Sequence, residues 1–367
     1  MFITFLSYQL LLLFVLLLPM GKLINGKNSG PIRYETDGFS WNARFSFILL
    51  LIVLLAGVRE AKPGRDYSNY LNYYDYILVH GEIGKLFKVN EIGWDNLNLL
   101  FGSLGVPAGV FFGLVSGVTW FFFIKGSYKF QFLLPLMFFF VLSSGFYFWT
   151  YNGVRQSISI MIFFYSIRFL LEKDPLRYVL WIAVASLFHT SVIVMLPFYF
   201  ITKIKFNQKL VALLYIASLF LVGNSWFMSK MIDLITFVSS NIDLFSSYAK
   251  FYTGEDIYDT DENRTDSGLG VLVRIVTTLY IIYKSDYILK KQPTLTVFYV
   301  LFFIGTILSN IFFSVGTIGR ILTYFTVSFS IVIASTIYYS SGKYENIVNV
   351  LIIGVYFIMF SKIIVNH

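Results

Sequence analysis

GVREAKPGRDYSNY, residues 57–70, follows the apolar run FSFILLLIVLLA of residues 45–56 and brings Arg59, Glu60, Lys62, Arg65 and Asp66 directly after it. Ionisable side chains packed this densely at the end of a membrane-seeking run are costly unless the fold holds them there. The remaining segments read as a cage that brings further arginines and one histidine to the same face. Composition agrees with that reading. Of 367 residues, 57% are hydrophobic and only 13% charged, about half the charge of a soluble globular chain. Mean hydropathy is +0.72, and the apolar residues gather into runs of spanning length. The chain reads as an all-α polytopic membrane protein, a single membrane domain over residues 1–367.

Several function classes drop out at once. There is no cysteine, which removes disulfides, cysteine nucleophiles and thiolate metal sites. The three histidines, His80, His189 and His367, are too few for a histidine-rich metal cage, so no metal and no cofactor is expected. The net charge of +8 sits mostly in short loops beside apolar runs, where it orients a protein in a bilayer, and no nucleic-acid partner is expected. Residues 3–20 are followed by Lys22 and Lys27 and preceded by no charge, the reverse of a secretory signal, and read as a retained first helix.

Charge bias in the loops sets the topology. Lys22, Lys27, Arg33 and Arg44 place residues 21–44 in the cytoplasm, and the run near 45–58 crosses outward. Residues 59–98 then form a charge-balanced outer loop containing an amphipathic helix. Tyr67, Tyr70, Leu71, Tyr74 and Leu78 fall at helical spacing there, with tyrosines suited to the headgroup zone and Asp66 or Ser68 as cap. Further spans are expected near 100–124, 131–150 and 154–171, the last two joined by the outer aromatic connection FYFWTYNGVR, residues 146–155.

Residues 178–202 are the anomaly. They are long enough for one crossing, yet Lys203, Lys205 and Lys209 follow, and a single crossing would put that cluster outside. Two half-length helices, entering and returning with Phe188-His189-Thr190-Ser191 at the tip, remove the conflict. Irregular backbone at membrane depth needs a cavity or a protein environment. After a span near 210–224, a second outer loop over 225–268 is strongly acidic. Its Asp259, Asp261 and Asn263 imitate a calcium loop, but Arg264 and Gly270 break the pattern. Four more spans complete a total of about ten plus the re-entrant hairpin.

On this topology Arg59, Arg155, Arg274, Arg320 and His189 all fall at the outer boundary. One arginine there can snorkel to headgroups. Four from separate segments point to an anion, and the rigid guanidinium fork suits a lipid phosphate or diphosphate. Asp66 either caps its helix or serves as a general base, and the two roles are compatible. His189 either donates to a phosphate or takes a proton from a hydroxyl. Tyr324, one turn from Arg320, lines the site or packs in the core.

These residues resemble the EpsG family, the O-antigen and exopolysaccharide polymerases often called Wzy-like. The likeness rests on Gly57-Val58-Arg59, Gly64-Arg65-Asp66-Tyr67, Asn152-Gly153-Val154-Arg155-Gln156, Phe188-His189-Thr190-Ser191 and Gly319-Arg320, in that order along the chain. The resemblance implies a GT-C-like architecture in the bacterial inner (cytoplasmic) membrane, with the active site facing outward. It implies transfer of a growing glycan from undecaprenyl diphosphate to a hydroxyl of another lipid-linked repeat unit. Donor and acceptor are then both undecaprenyl-diphosphate-linked oligosaccharides, alongside membrane lipids and a possible chain-length regulator. Asp66 and His189 are the expected catalytic residues, Arg59, Arg155, Arg274 and Arg320 the diphosphate ligands. Arg65, Tyr67, Tyr70, Gln156 and Tyr324 are expected to touch substrate, and the rings of residues 146–151 and 67–74 to stack on its sugars at the mouth. Two other classes fit parts of the pattern. A flippase for lipid-linked oligosaccharide needs an arginine-lined path, but across the membrane depth and usually with inverted-repeat symmetry. A membrane O-acyltransferase would use His189 as base, with an acyl donor on the opposite side.

Overall fold

The computed structural model describes residues 43–58, 66–83, 91–222, 268–313, 316–340 and 342–366, with isolated positions between 224 and 237. Arg59, Glu60, Arg65, the run 3–20 and most of the acidic loop lie outside the described residues. Those that are described form helices and no strand. The chain divides into two compact units, Met1–Thr202 with Ile333–His367, and Lys203–Val332.

In the first unit, α1 (Ala43–Gly57) is followed by α2 (Tyr67–His80), α3 (Ile92–Ser103) and α4 (Ala108–Gly126). α1 and α4 meet along a seam of glycines. A Cβ on Gly109 would lie 2.6 Å from the Gly57 carbonyl oxygen, and one on Gly113 would lie 2.9 Å from that of Val53. Spaced four apart on one helix face, small residues let two backbones approach closely, the main route to tight helix association in an apolar medium. This seam fixes where α1 ends, and so where the charged stretch after it begins.

α2 turns its tyrosines inward. Tyr74 stacks on Phe111 with centroids 4.3 Å apart, and its hydroxyl donates to the Val106 carbonyl at 2.7 Å. Tyr67 packs edge-on against Phe112, and Tyr70 against Trp94. The headgroup reading of these tyrosines is therefore corrected: they face protein, because α3 and α4 offer both rings and hydrogen-bond acceptors. The expected span near 100–124 is also redrawn. Gly105 at φ +68° and Pro107 end α3 and start α4, so the candidate span is α4 alone and α3 stands apart from it.

A 3-10 turn (Tyr128–Leu133) leads to α5 (Leu134–Ser143) and the short α6 (Phe146–Asn152), bent by 62° at Gly145, which sits at φ +81°. The expected aromatic connection is thus a helix. Its Tyr147, Phe148 and Tyr151 are buried, while Phe146 and Trp149 are half-buried and stack on each other. α7 (Val154–Leu171) is the most enclosed candidate span, 78% buried. Phe123 of α4 stacks on its Phe164, and its Tyr165 packs against Trp181 of α8 (Pro175–Ser186). Buried Ser157 and Ser166 return their hydroxyls to carbonyls on the preceding turn, which removes the cost of a polar atom at depth.

α8 starts where Asp174 accepts from the Arg177 amide at 3.0 Å and Pro175 takes the first turn. It ends at Phe188-His189, whose amides both turn back to the Ala185 carbonyl. A 3-10 segment (Thr190–Lys203) then runs back along it: the Tyr178 hydroxyl donates to the Met195 carbonyl at 2.6 Å, and Tyr178 and Tyr199 lie 5.8 Å apart. The break and the reversal are those read from residues 178–202.

In the second unit, α9 (Gln208–Leu221), α10 (Gly268–Lys291), α11 (Thr296–Ile311) and α12 (Gly316–Thr326) pack together. Asn310 donates to the buried Ser218 hydroxyl at 3.0 Å, and Gln208 donates to the Ile282 and Tyr283 carbonyls. The division between units falls within α13 (Phe329–Tyr339), and α14 (Lys343–Asn366) closes the first unit, its Tyr356 edge-on to Phe140 of α5.

Six helices among the described residues are long and apolar enough to cross a membrane, or seven if the bent pair at Gly145 counts as one span. α1, α8, the 3-10 arm and α9 are apolar but shorter. The chain is an all-helical polytopic membrane protein. Gly109→Val should force α1 and α4 apart at a cost of about 1–3 kcal/mol, from overpacking. We expect a lowered melting temperature in detergent, and an unchanged melt would show that the seam is not a tight contact.

Candidate active site

Glu91 precedes α3, in extended backbone at φ −112°, and its side chain does not cap its own helix. It reaches the hairpin tip instead. Its Oε1 accepts from Nδ1 of His189 at 2.7 Å and from the Thr190 amide at 3.3 Å. Its Oε2 lies 2.8 Å from an Nη of Arg155, the second residue of α7. One carboxylate therefore joins three segments and satisfies an orphan amide at the start of the 3-10 arm. The Glu91 side chain is 3% exposed, Arg155 16% and His189 21%. The acid is sealed inside while its two cationic or basic partners reach the surface.

Gly93 makes this approach possible. Its amide donates to the Leu187 carbonyl at 2.8 Å, and a Cβ there would lie 2.8 Å from both the Leu187 carbonyl oxygen and its Cβ. The hairpin tip is thus seated on the first turn of α3 by backbone contact. Ser159 of α7 donates to the His189 carbonyl at 3.4 Å from the other side.

α2 supplies the next layer. Arg155 donates to the Tyr70 hydroxyl, with its guanidinium carbon 5.9 Å from the ring centroid. Burial pushes the Tyr70 phenol up, partly offset by Arg155, and the Asp66 and Glu91 charges add to the rise. Tyr73 donates to Asp95 Oδ1 at 2.7 Å, and both groups are pushed up, chiefly by burial. Asp95 stands one helical turn after Glu91 and within electrostatic reach of Arg155.

The expected site residues are distributed as follows. Arg155, His189 and Tyr70 are gathered around Glu91, with Gln156 buried next to Arg155. Asp66 occupies the cap position of α2 without a side-chain capping bond, and its charge is felt at Tyr70. Tyr67 is buried against Phe112. Arg274, within electrostatic reach of Tyr215, exposed Arg320 and fully buried Tyr324 belong to the second unit. The sugar-stacking expectation is narrowed, because Tyr67, Tyr70 and Tyr74 of α2 pack on rings of α3 and α4, and Tyr147, Phe148 and Tyr151 of α6 pack on one another.

Glu91, Asp95 and Tyr73 were not singled out from the sequence. One signal was present: Glu91 and Asp95 lie four apart at a helix start, where like charges repel unless each has a partner. Among the described residues, no group of three or more His, Asp and Glu is arranged to hold a metal.

A helical, multi-pass membrane protein with an acid–imidazole–guanidinium cluster where α3, the hairpin tip and the start of α7 meet defines the class. The family model that matches is that of the EpsG family, over residues 42–367, and the chain belongs to that family. Membership supports a polysaccharide-polymerase role in general. No curated protein and no solved structure matches the chain.

The raised pKa of Asp95 gives a stability prediction with a definite sign. Below its ordinary value, 3.8, the carboxyl is protonated folded or unfolded and costs nothing. As pH rises through and above 3.8, the unfolded chain ionises more readily, and stability falls until the folded group ionises too. Asp95→Asn keeps an acceptor for Tyr73 and should melt higher than wild type at pH 7, with the advantage vanishing near pH 3.5. An advantage that is equal at both pH values would refute the cause.

Proposed function

We propose that the chain is a polysaccharide polymerase that moves a growing glycan from undecaprenyl diphosphate onto a hydroxyl of another lipid-linked repeat unit, at the outer leaflet of a bacterial cytoplasmic membrane. The acceptor oxygen attacks the anomeric carbon of the donor glycan. The bond from that carbon to the phosphate oxygen breaks, the lipid diphosphate leaves with the electron pair, and the hydroxyl proton passes to a base.

The observation that carries this reading is the joining of Arg155 and His189 through one buried carboxylate, in a chain of the EpsG family. In the proposal His189 is the base, its Nδ1 committed to Glu91 and its Nε2 left for the acceptor proton. Asp66 is the other candidate for that role, placed beside Tyr70 rather than at the imidazole. Arg155, with Arg59, Arg274 and Arg320 assigned from the sequence, steadies the charge that develops on the diphosphate. One such preorganised donor is worth about 3–4 kcal/mol. Arginines supply that charge in this mechanism, and no divalent metal takes part.

Purified protein in proteoliposomes with a lipid-linked repeat unit should make longer glycans, at a rate unaffected by EDTA. Arg155→Ala should abolish extension while inserting normally, and Arg155→Lys should restore little, since an ammonium lacks the guanidinium fork. Polymer of normal length from Arg155→Ala, or a chelator block reversed by magnesium, would overturn the mechanism.

A further inference from the structure

We infer that Glu91 is a positioning residue for catalysis, acting through His189 and Arg155 without touching substrate; this rests on the polymerase reading above. Its side chain is almost fully buried, so it has no path to a substrate, and it makes no cap for its own helix. A buried carboxylate needs donors for its remaining lone pairs as well as a counter-charge, and here those donors are the groups the polymerase reading puts to work. This one meets two chemically different groups on two segments and also holds the hairpin amide that follows the imidazole.

The consequence for His189 is specific. An ionised carboxylate can only accept, so Nδ1 of the neutral ring carries its proton toward Glu91 and Nε2 presents a lone pair. When Nε2 takes up a proton, the same carboxylate stabilises the imidazolium. Arg155 pairs with the carboxylate's second oxygen at 2.8 Å. Among the described residues, the ionisable neighbours of this cluster are Asp95 on α3, Arg155 on α7, and Asp66 and Tyr70 on α2. Asp95 is engaged by Tyr73 and Tyr70 by Arg155, and among the described carboxylates Glu91 is the one in contact with the ring.

Two measurements test this. In protein labelled with 15N-histidine, His80→Gln and His367→Gln leave His189 as the one reporter. Its neutral ring should show a protonated Nδ1 and an unprotonated Nε2, a readout independent of any activity. The opposite tautomer, or a ring that stays doubly protonated across the working pH range, would overturn the inference. In the elongation assay, Glu91→Gln preserves shape but removes the charge. It should slow extension by roughly 100-fold, the scale of general-base assistance, with little change in KM. It should also move the acid limb of the pH–rate profile to lower pH, since losing the negative charge and leaving Arg155 uncompensated both disfavour imidazolium. A wild-type rate with an unmoved limb would sink the role of Glu91. Absence of extension by the wild-type protein would sink the polymerase reading instead, leaving the tautomer measurement standing.

Discussion

A carboxylate removed from water must be repaid by its surroundings, and in this protein one such group sets the geometry of the candidate site. Glu91 is stripped of solvent, ion-paired with Arg155 through Oε2 and hydrogen-bonded through Oε1 to His189 and the Thr190 amide. Desolvation of a charge costs several kcal/mol, so none of the three partners can leave without a large penalty on the acid. The segments that carry them, the start of α3, the start of α7 and the hairpin tip, are locked to one another for that reason.

The scaffold serves this constraint through close backbone contact rather than through bulk. Gly93 lets the first turn of α3 touch Leu187, and the glycine seam lets α4 touch α1. In an apolar medium, packing without voids and internal hydrogen bonding replace the hydrophobic drive that holds soluble helices together. α7 is suited to the centre of such a unit. It presents rings to α4 and α8, and its serines close their own hydrogen bonds within the helix.

The aromatic residues turn out to do a different task from the one their spacing suggested. α2 and α6 carry rings at intervals that suit headgroups or sugars, yet most of them are packed inside the protein, those of α2 against α3 and α4. Tyr73 and Tyr74 are tied by hydroxyl bonds to Asp95 and the Val106 carbonyl, so their polar ends point into protein. They stiffen the layer behind Arg155 and Asp95, and the half-buried Phe146 and Trp149 keep exposed ring surface.

Much of the architecture was legible in the residues alone. Long apolar runs can only be helices in a bilayer, because every backbone group must bond within its own segment. The lysines after residue 202 demanded a reversal that the hairpin supplies. Arg155, His189 and Asp66 stood out as ionisable groups beside apolar runs, and the order of short motifs pointed to the EpsG family. Glu91 did not stand out, since in sequence it is one acid among several in a charge-balanced loop, and its meaning comes from partners 64 and 98 residues away. Periodicity reports which face of a helix is apolar, and charge bias reports which side a loop occupies. Neither reports which acid is buried or which two bases it holds; that is decided by the folding of the chain across itself.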